Sequence, residues 1–191
     1  MGMFTKKRTL DESCATVVYL RNAAVVSPSF YLAQKKQNIH THNGEELPES
    51  MTWNSYGGKW KEGDTTIYST AKRELYEESG GVKVCACDLT LGARVEFFWP
   101  GNTTNTRNME VYFFVAHIYS KYPEETDSMG KPELFTSYDA PYKEMMPADE
   151  IIIPIIMSGK SAEGSMFFQK NEKGWKIKDK KLRVSPAKKL W

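Results

Sequence analysis

The 191-residue chain has little of what usually places a protein at a glance. Its three cysteines, Cys14, Cys85 and Cys87, are too few and odd in number for a disulfide-built scaffold. The pair Cys85-x-Cys87 has no second pair and no histidine nearby, so its spacing does not predict a zinc site. His40 and His42 share a polar stretch with no third ligand close by, and no metal is expected there. No run approaches the roughly 18 apolar residues of a membrane span. The best one, IIIPII at 151–156, is short and interrupted by Pro154. The opening MGMFTKKRTLDES has basic residues but no apolar stretch behind them, so no secretory signal is expected. Internal repeats and low-complexity tracts are absent. So is an excess of charge: 26 basic residues against 24 acidic leave +2, and bulk electrostatics do not mark a nucleic-acid binder. What remains is a protein without membrane spans, with reduced thiols, expected in the cytoplasm.

What is present suffices for a core: 40% hydrophobic and 13% aromatic residues. The length favours a single domain over 1–191, with a core at about 12–184 and short flexible ends. ATVVYL (15–20) and the segment 23–36 read as a strand hairpin, and 37–53 as a turn-rich loop. Residues 65–79 read as a helix with Ile67, Ala71 and Leu75 on its buried stripe. Asp64 or Thr65 is its expected N-cap and Gly80-Gly81 its stop. Strands are expected at 82–87, 93–99 and 109–119, and an extended piece at 133–138. A second helix is expected over 147–159, then a final hairpin over 166–179. Strands flanking an internal helix, with another helix late, make the class α+β with a mixed sheet. After Gly164 the charge turns basic: Lys170, Lys173, Lys176, Lys178, Lys180, Lys181, Arg183, Lys188 and Lys189 stand against Glu172 and Asp179. This reads as a solvated basic tail, or one that touches RNA.

Arg73-Glu74-Leu75-Tyr76-Glu77-Glu78 carries the chemistry. On a helix, Glu77 lies about 60° to one side of Glu74 and Glu78 about 40° to the other, so three carboxylates crowd an arc of about 100°. Such pairs cost a bare helix about 0.2–0.5 kcal/mol each, and only Arg73 offsets them locally. Either the face is simply solvated, or a divalent cation meets it. Oxygen donors alone suit Mg²⁺ or Mn²⁺, and Mg²⁺ completes its shell with water and substrate phosphates. Gly57-Gly58 before the helix lets bare backbone approach cation or phosphate, with Lys59 and Lys61 adding positive charge.

Residues 58–81 resemble the Nudix box. Gly58, Asp64, Arg73, Glu74, Leu75, Glu77, Glu78 and Gly80 match it. Three positions depart: Asp64 stands for glutamate, eight residues rather than seven separate it from Arg73, and Gly81 replaces an aliphatic residue. Trp53-Asn54-Ser55-Tyr56-Gly57-Gly58-Lys59 is similar to a run in the animal MutT homologues that hydrolyse oxidised purine nucleoside triphosphates. Pro141-Tyr142-Lys143-Glu144-Met145-Met146-Pro147-Ala148-Asp149 is similar to a second. The pieces keep their order over about 15–184.

The resemblance implies a Nudix fold, an α/β/α sandwich with a mixed sheet between helices. It implies that Glu74, Glu77 and Glu78 hold Mg²⁺ (or Mn²⁺) with the Gly57 carbonyl. Glu77, Glu78 and Arg73 become the catalytic group, with Arg73 orienting the glutamates around an attacking water. Lys35, Asn54, Tyr56, Gly57, Gly58, Lys59, Met146 and Asp149 become substrate contacts, with Asn54 and Asp149 on the purine. Met146 replaces the subfamily's stacking tryptophan and Ala148 its first aspartate. An acid from the following loop (Glu124, Glu125, Asp127 or Glu133) would assist metal or water. The implied partner is a nucleotide, with no membrane; nothing chooses between monomer and homodimer. The rival readings are a Nudix hydrolase of a dinucleotide, nucleotide sugar or capped RNA, and a weakly catalytic nucleotide-binding module.

Overall fold

The computed structural model describes residues 10–22, 28–36, 53–100, 109–118, 121–172 and 174–187. Most of 37–53, with His40 and His42, and all but the first residue of 100–108 lie outside them. β1 (Cys14–Asn22) is the expected β-branched run, and β2 (Ser29–Gln34) returns antiparallel to it, with Leu20 opposite Tyr31. β3 is only Trp53–Asn54. Then come α1 (Ile67–Glu78), β4 (Leu89–Phe98), β5 (Met109–Ile118) and β6 (Glu133–Thr136). α2 (Asp149–Met157), β7 (Lys160–Asn171) and β8 (Gly174–Pro186) close the chain.

The strands form one eight-stranded sheet in the order β3-β2-β1-β5-β4-β7-β8, with β6 also on β2. β1–β5 and β4–β7 are parallel and the other pairs antiparallel, so the sheet is mixed. A helix covers each face. Ala71 and Leu75 of α1 pack with Val18, Leu20 and Phe114. Ile152, Ile153 and Ile156 of α2 pack with Val95, Phe97 and Phe113 on the other side. Gly92 lets α2 come close: a Cβ there would stand 2.7 Å from Ile156 Cγ2. Among the described residues no helix is long and apolar enough to cross a membrane.

The expected elements are met with three differences. The N-cap of α1 is Thr66, whose hydroxyl accepts from Ser69 N–H at 3.1 Å while Ser69 Oγ accepts from Thr66 N–H at 2.9 Å. Asp64 is committed elsewhere. The helix ends as expected: Gly80 and Gly81 have φ of +72° and +91°, and Gly81 N–H returns to the Tyr76 carbonyl. Residues 82–87 are not a strand. Val82 and Val84 do alternate inward under α1, but Ala86–Asp88 closes into a 3₁₀ turn. α2 lies within the expected 147–159 and carries Pro154 inside it.

The largest difference is at the end of the chain. The expected hairpin over 166–179 is met but is longer: residues 174–186 form β8, in register with β7 from Asn171–Gly174 to Lys160–Pro186, so the basic stretch through Arg183 is strand and not a tail. Trp175 is buried against Trp99, while Lys176, Lys178, Lys180, Lys181 and Arg183 are exposed. Lysine along an outer strand blocks pairing with other chains, which is a structural reason for the basic excess.

Candidate active site

After β3 the chain crosses to β1 and runs beside it. Val18 N–H donates to the Tyr56 carbonyl at 2.6 Å, and Thr16 N–H to the Gly58 carbonyl at 2.8 Å. Only glycine fits in the middle of this segment. A Cβ on Gly57 would lie 2.1 Å from the Thr16 carbonyl oxygen, and one on Gly58 would lie 2.6 Å from the Glu74 carboxylate. The turn is thus wedged between β1 and the acidic face of α1.

Two carboxylates of α1, Glu74 and Glu78, meet it and Glu77 lies beside them, in different surroundings. Glu78 is buried; its two oxygens accept from Gly57 N–H at 2.7 Å and Lys35 Nζ at 3.0 Å. Burial pushes its pKa above the ordinary glutamate value, against the pull of Lys35 and the Gly57 amide. Glu74 is buried and accepts from Arg73 Nη1 at 2.6 Å. Glu77 is half exposed, 3.3 Å from Arg73 Nη1. Lys61 Nζ lies 3.6 Å from Glu74 and 3.8 Å from Glu77.

Arg73 ties the parts together. Its Nε and Nη2 donate to the two oxygens of Asp64 at 3.1 and 2.8 Å, and Nη2 also reaches the Lys59 carbonyl at 3.0 Å. These guanidinium bonds hold Asp64 below the usual carboxylate range. The extra residue between Asp64 and Arg73 therefore does not break their pairing. The loop after β5 rests on the end of α1, with Glu124 N–H on the Ser79 carbonyl and Thr126 Oγ1 3.5 Å from the Glu78 carbonyl. Of its acids, Glu125 is paired with Lys36 at 2.7 Å.

The expected base contacts divide. Asn54 is half-buried in β3, opposite Ala33, and Lys59 is exposed. Met146 packs against the α2-side core. Tyr56 is fully buried on the α1 side and its hydroxyl has no partner, so it holds the turn from inside. Lys35, expected near sugar or phosphate, is paired with Glu78. Asp149 does not cap α2, whose N-cap is Ala148 without a side-chain bond. Instead it is buried and accepts from the Tyr19 hydroxyl at 2.5 Å. Burial raises its pKa to about 6, held back by the Tyr19 bond. Tyr19 was not legible as a site residue, because an aromatic within a β-branched strand reads as core.

The metal-side donors are all oxygens, two of them in buried carboxylates, beside a glycine cradle that a Cβ would fill. That set fits a hard divalent cation. Residues 15–162 match the NUDIX domain, and the chain belongs to that family. Over 117 residues it is 33% identical to the "oxidized purine nucleoside triphosphate hydrolase" of Danio rerio, covering 61% of this chain and 70% of that protein. The Mus musculus protein of the same name is 32% identical over the same share. The mutator MutT protein from Bacillus halodurans superposes with a TM-score of 0.64 at 18% identity, over 88% of this chain and 96% of that one. The chain is a Nudix pyrophosphohydrolase, and enzymes of this family generally use a divalent metal such as Mg²⁺.

Proposed function

We propose that this is a cytosolic, Mg²⁺-dependent enzyme that hydrolyses purine nucleoside triphosphates, oxidised ones above all, to monophosphate and pyrophosphate. The observation that carries the reading is the meeting of Glu74 and Glu78 with the Gly57-Gly58 turn, locked by Arg73 through Asp64 and the Lys59 carbonyl. The names of the two animal relatives support the substrate class.

Glu74, Glu77 and Glu78 would hold the cation, with the Gly57 carbonyl as a further donor. Bound there, it neutralises phosphate charge and acidifies water. The chain's own residues do the rest. Lys35 and Lys61 already stand on the glutamates and are positioned to turn toward phosphate oxygens. Arg73 keeps the carboxylates at fixed spacing, so positioning is settled before substrate arrives. Addition of water across one phosphoanhydride yields the monophosphate and pyrophosphate. Asn54, Met146 and Asp149 form the base-facing set. A buried carboxyl rejects a base that leaves it unpaired.

The test is pyrophosphate release with Mg²⁺ or Mn²⁺ on dGTP, 8-oxo-dGTP, 2-hydroxy-dATP, ADP-ribose, a diadenosine polyphosphate and capped RNA, each beside Glu78→Gln. Preference for the oxidised triphosphates, lost in the variant, is the expected result. Preference for a dinucleotide or a cap would replace the substrate and keep the chemistry. No turnover on any of them would reduce the chain to a binding module.

A further inference from the structure

Cys14 is buried, but Cys85 and Cys87 are exposed. Cysteine is among the most buried of side chains, and an exposed one is explained by its reactivity rather than by packing. Both belong to the turn between α1 and β4 that ends at Asp88. The turn draws three donors together. Cys87 N–H donates to Cys85 Sγ at 3.3 Å and Cys85 N–H to Asp88 Oδ2 at 2.9 Å. The two sulfurs and a carboxylate oxygen all lie within 4.8 Å of one another. We propose that Cys85, Cys87 and Asp88 form a binding site for a thiophilic divalent cation of the Zn²⁺ type, built from none of the glutamates of α1.

The geometry is close to what such an ion requires. With Zn–S near 2.3 Å and tetrahedral angles, two thiolates stand about 3.8 Å apart, so the donors need to close by about 1 Å at most. The fourth position falls to water, giving an open site weaker than a four-cysteine one. Two metal–sulfur bonds form and the thiol protons leave to solvent, so affinity rises with pH. Donor softness sorts the ions: thiolates select zinc-like metals, and the all-oxygen set of α1 selects magnesium-like ones. The cysteine spacing alone does not mark this site in the sequence, because its third donor is the neighbouring aspartate.

Cd²⁺ is the probe, because its thiolate charge-transfer absorption reports sulfur ligation directly and requires no substrate. The freshly reduced, chelator-stripped full chain should saturate at one Cd²⁺ per molecule. Zn²⁺ should displace the signal and excess Mg²⁺ should not. Cys85→Ser or Cys87→Ser should abolish it, Asp88→Asn should weaken binding about tenfold or more, and Cys14→Ser should change nothing. Circular dichroism should show each variant folded. Absorption that persists in the Cys85→Ser/Cys87→Ser double variant overturns the proposal. So does one Cd²⁺ per two chains, which would be a bridge between molecules.

Discussion

Asp149 is the residue whose replacement separates stability from activity. Its carboxyl is buried beneath α2 and its pKa rises from the ordinary 3.8 to about 6. A carboxyl whose folded pKa is raised stabilises the fold while protonated. That contribution is complete below the unfolded value near 4 and is lost as pH rises through about 6. A shift of about 2 units corresponds to about 3 kcal/mol, the amount by which Asp149 makes the fold less stable at pH 7.5 than at pH 4. An asparagine side chain in its place would keep an acceptor for the Tyr19 hydroxyl and lose the titration. Asp149→Asn should therefore be more stable than the parent at pH 7.5 by up to about 3 kcal/mol, less whatever the amide fails to pair. The advantage should shrink to nothing or reverse by pH 4. The same variant should lose turnover of purine triphosphates, as expected for a site that tolerates a buried charge for function. Urea unfolding of both proteins from pH 4 to 7.5 measures the difference, in which the titrations of the other carboxyls cancel. A difference that stays constant across that range would refute the burial argument for Asp149.

Arg73→Ala should destabilise the fold by about 2–4 kcal/mol in urea unfolding, because Asp64 and Glu74 stay buried without their cation. Arg73→Lys should recover only part of this, since an ammonium cannot reproduce the fork on Asp64. Gly58→Ala should push the Glu74 carboxylate aside and abolish metal-dependent hydrolysis, at a cost of about 1–3 kcal/mol by thermal melting. In Lys35→Met the cation that holds Glu78 down is gone, so the acid limb of the pH–rate profile should move to higher pH; an unmoved limb would separate Glu78 from the rate. Truncation after Asn171 removes all of β8 and uncovers Trp99 and Phe168, and the cooperative unfolding transition should vanish.

How far the sequence could be read depended on whether a residue's neighbours in the fold were also its neighbours in the chain. α1 carries its stripe, its glutamates and its glycine stop within about 15 residues, so helix and acidic face were both legible. The acidic face and the Gly57-Gly58 turn lie close in sequence and required only the resemblance to be joined. Tyr19 and Asp149 meet across 130 positions. Nothing local marks that bond, so Asp149 was legible only through the resemblance, as a purine contact, and its Tyr19 partner was not legible. Residues 82–87 read as a strand because Val82 and Val84 alternate, but Cys85 and Asp88 bond each other's backbone and turn the chain. The second half of β8, beyond the expected hairpin at 166–179, hid for another reason. Ile177 and Leu182 are five apart and cannot share a face of a regular strand; a register shift sets Phe168 opposite Ile177 and Phe167 opposite Asp179, which restores the face. Without that bulge in view, the hairpin reads as ending at 179 and the cations beyond it as a tail.

Two of the buried carboxylates, Glu78 and Asp149, show how one fold prepares opposite behaviours. Glu78 sits against a cation and a backbone amide, both of which stabilise its charged form, so burial raises its pKa only against resistance. Asp149 has only neutral donors, a phenol and the Met146 backbone, and its pKa reaches about 6. The difference comes from which element supplies the partner. Lys35 follows directly on β2 and can reach the end of α1, whereas Tyr19 points to the other face of the sheet, where α2 offers no cation to Asp149. Glu78 keeps a cation and an amide on its two oxygens, and both favour the charged form that a hard cation requires. Asp149 lies within reach of its own titration and can accept or donate a hydrogen bond as pH moves. On the proposed function this places the cation-paired carboxylate at the phosphate end and the one with neutral partners at the base. A pH-dependent change in base preference with a midpoint near 6, absent in Asp149→Asn and kept in Lys35→Met, is the signature that division of labour requires.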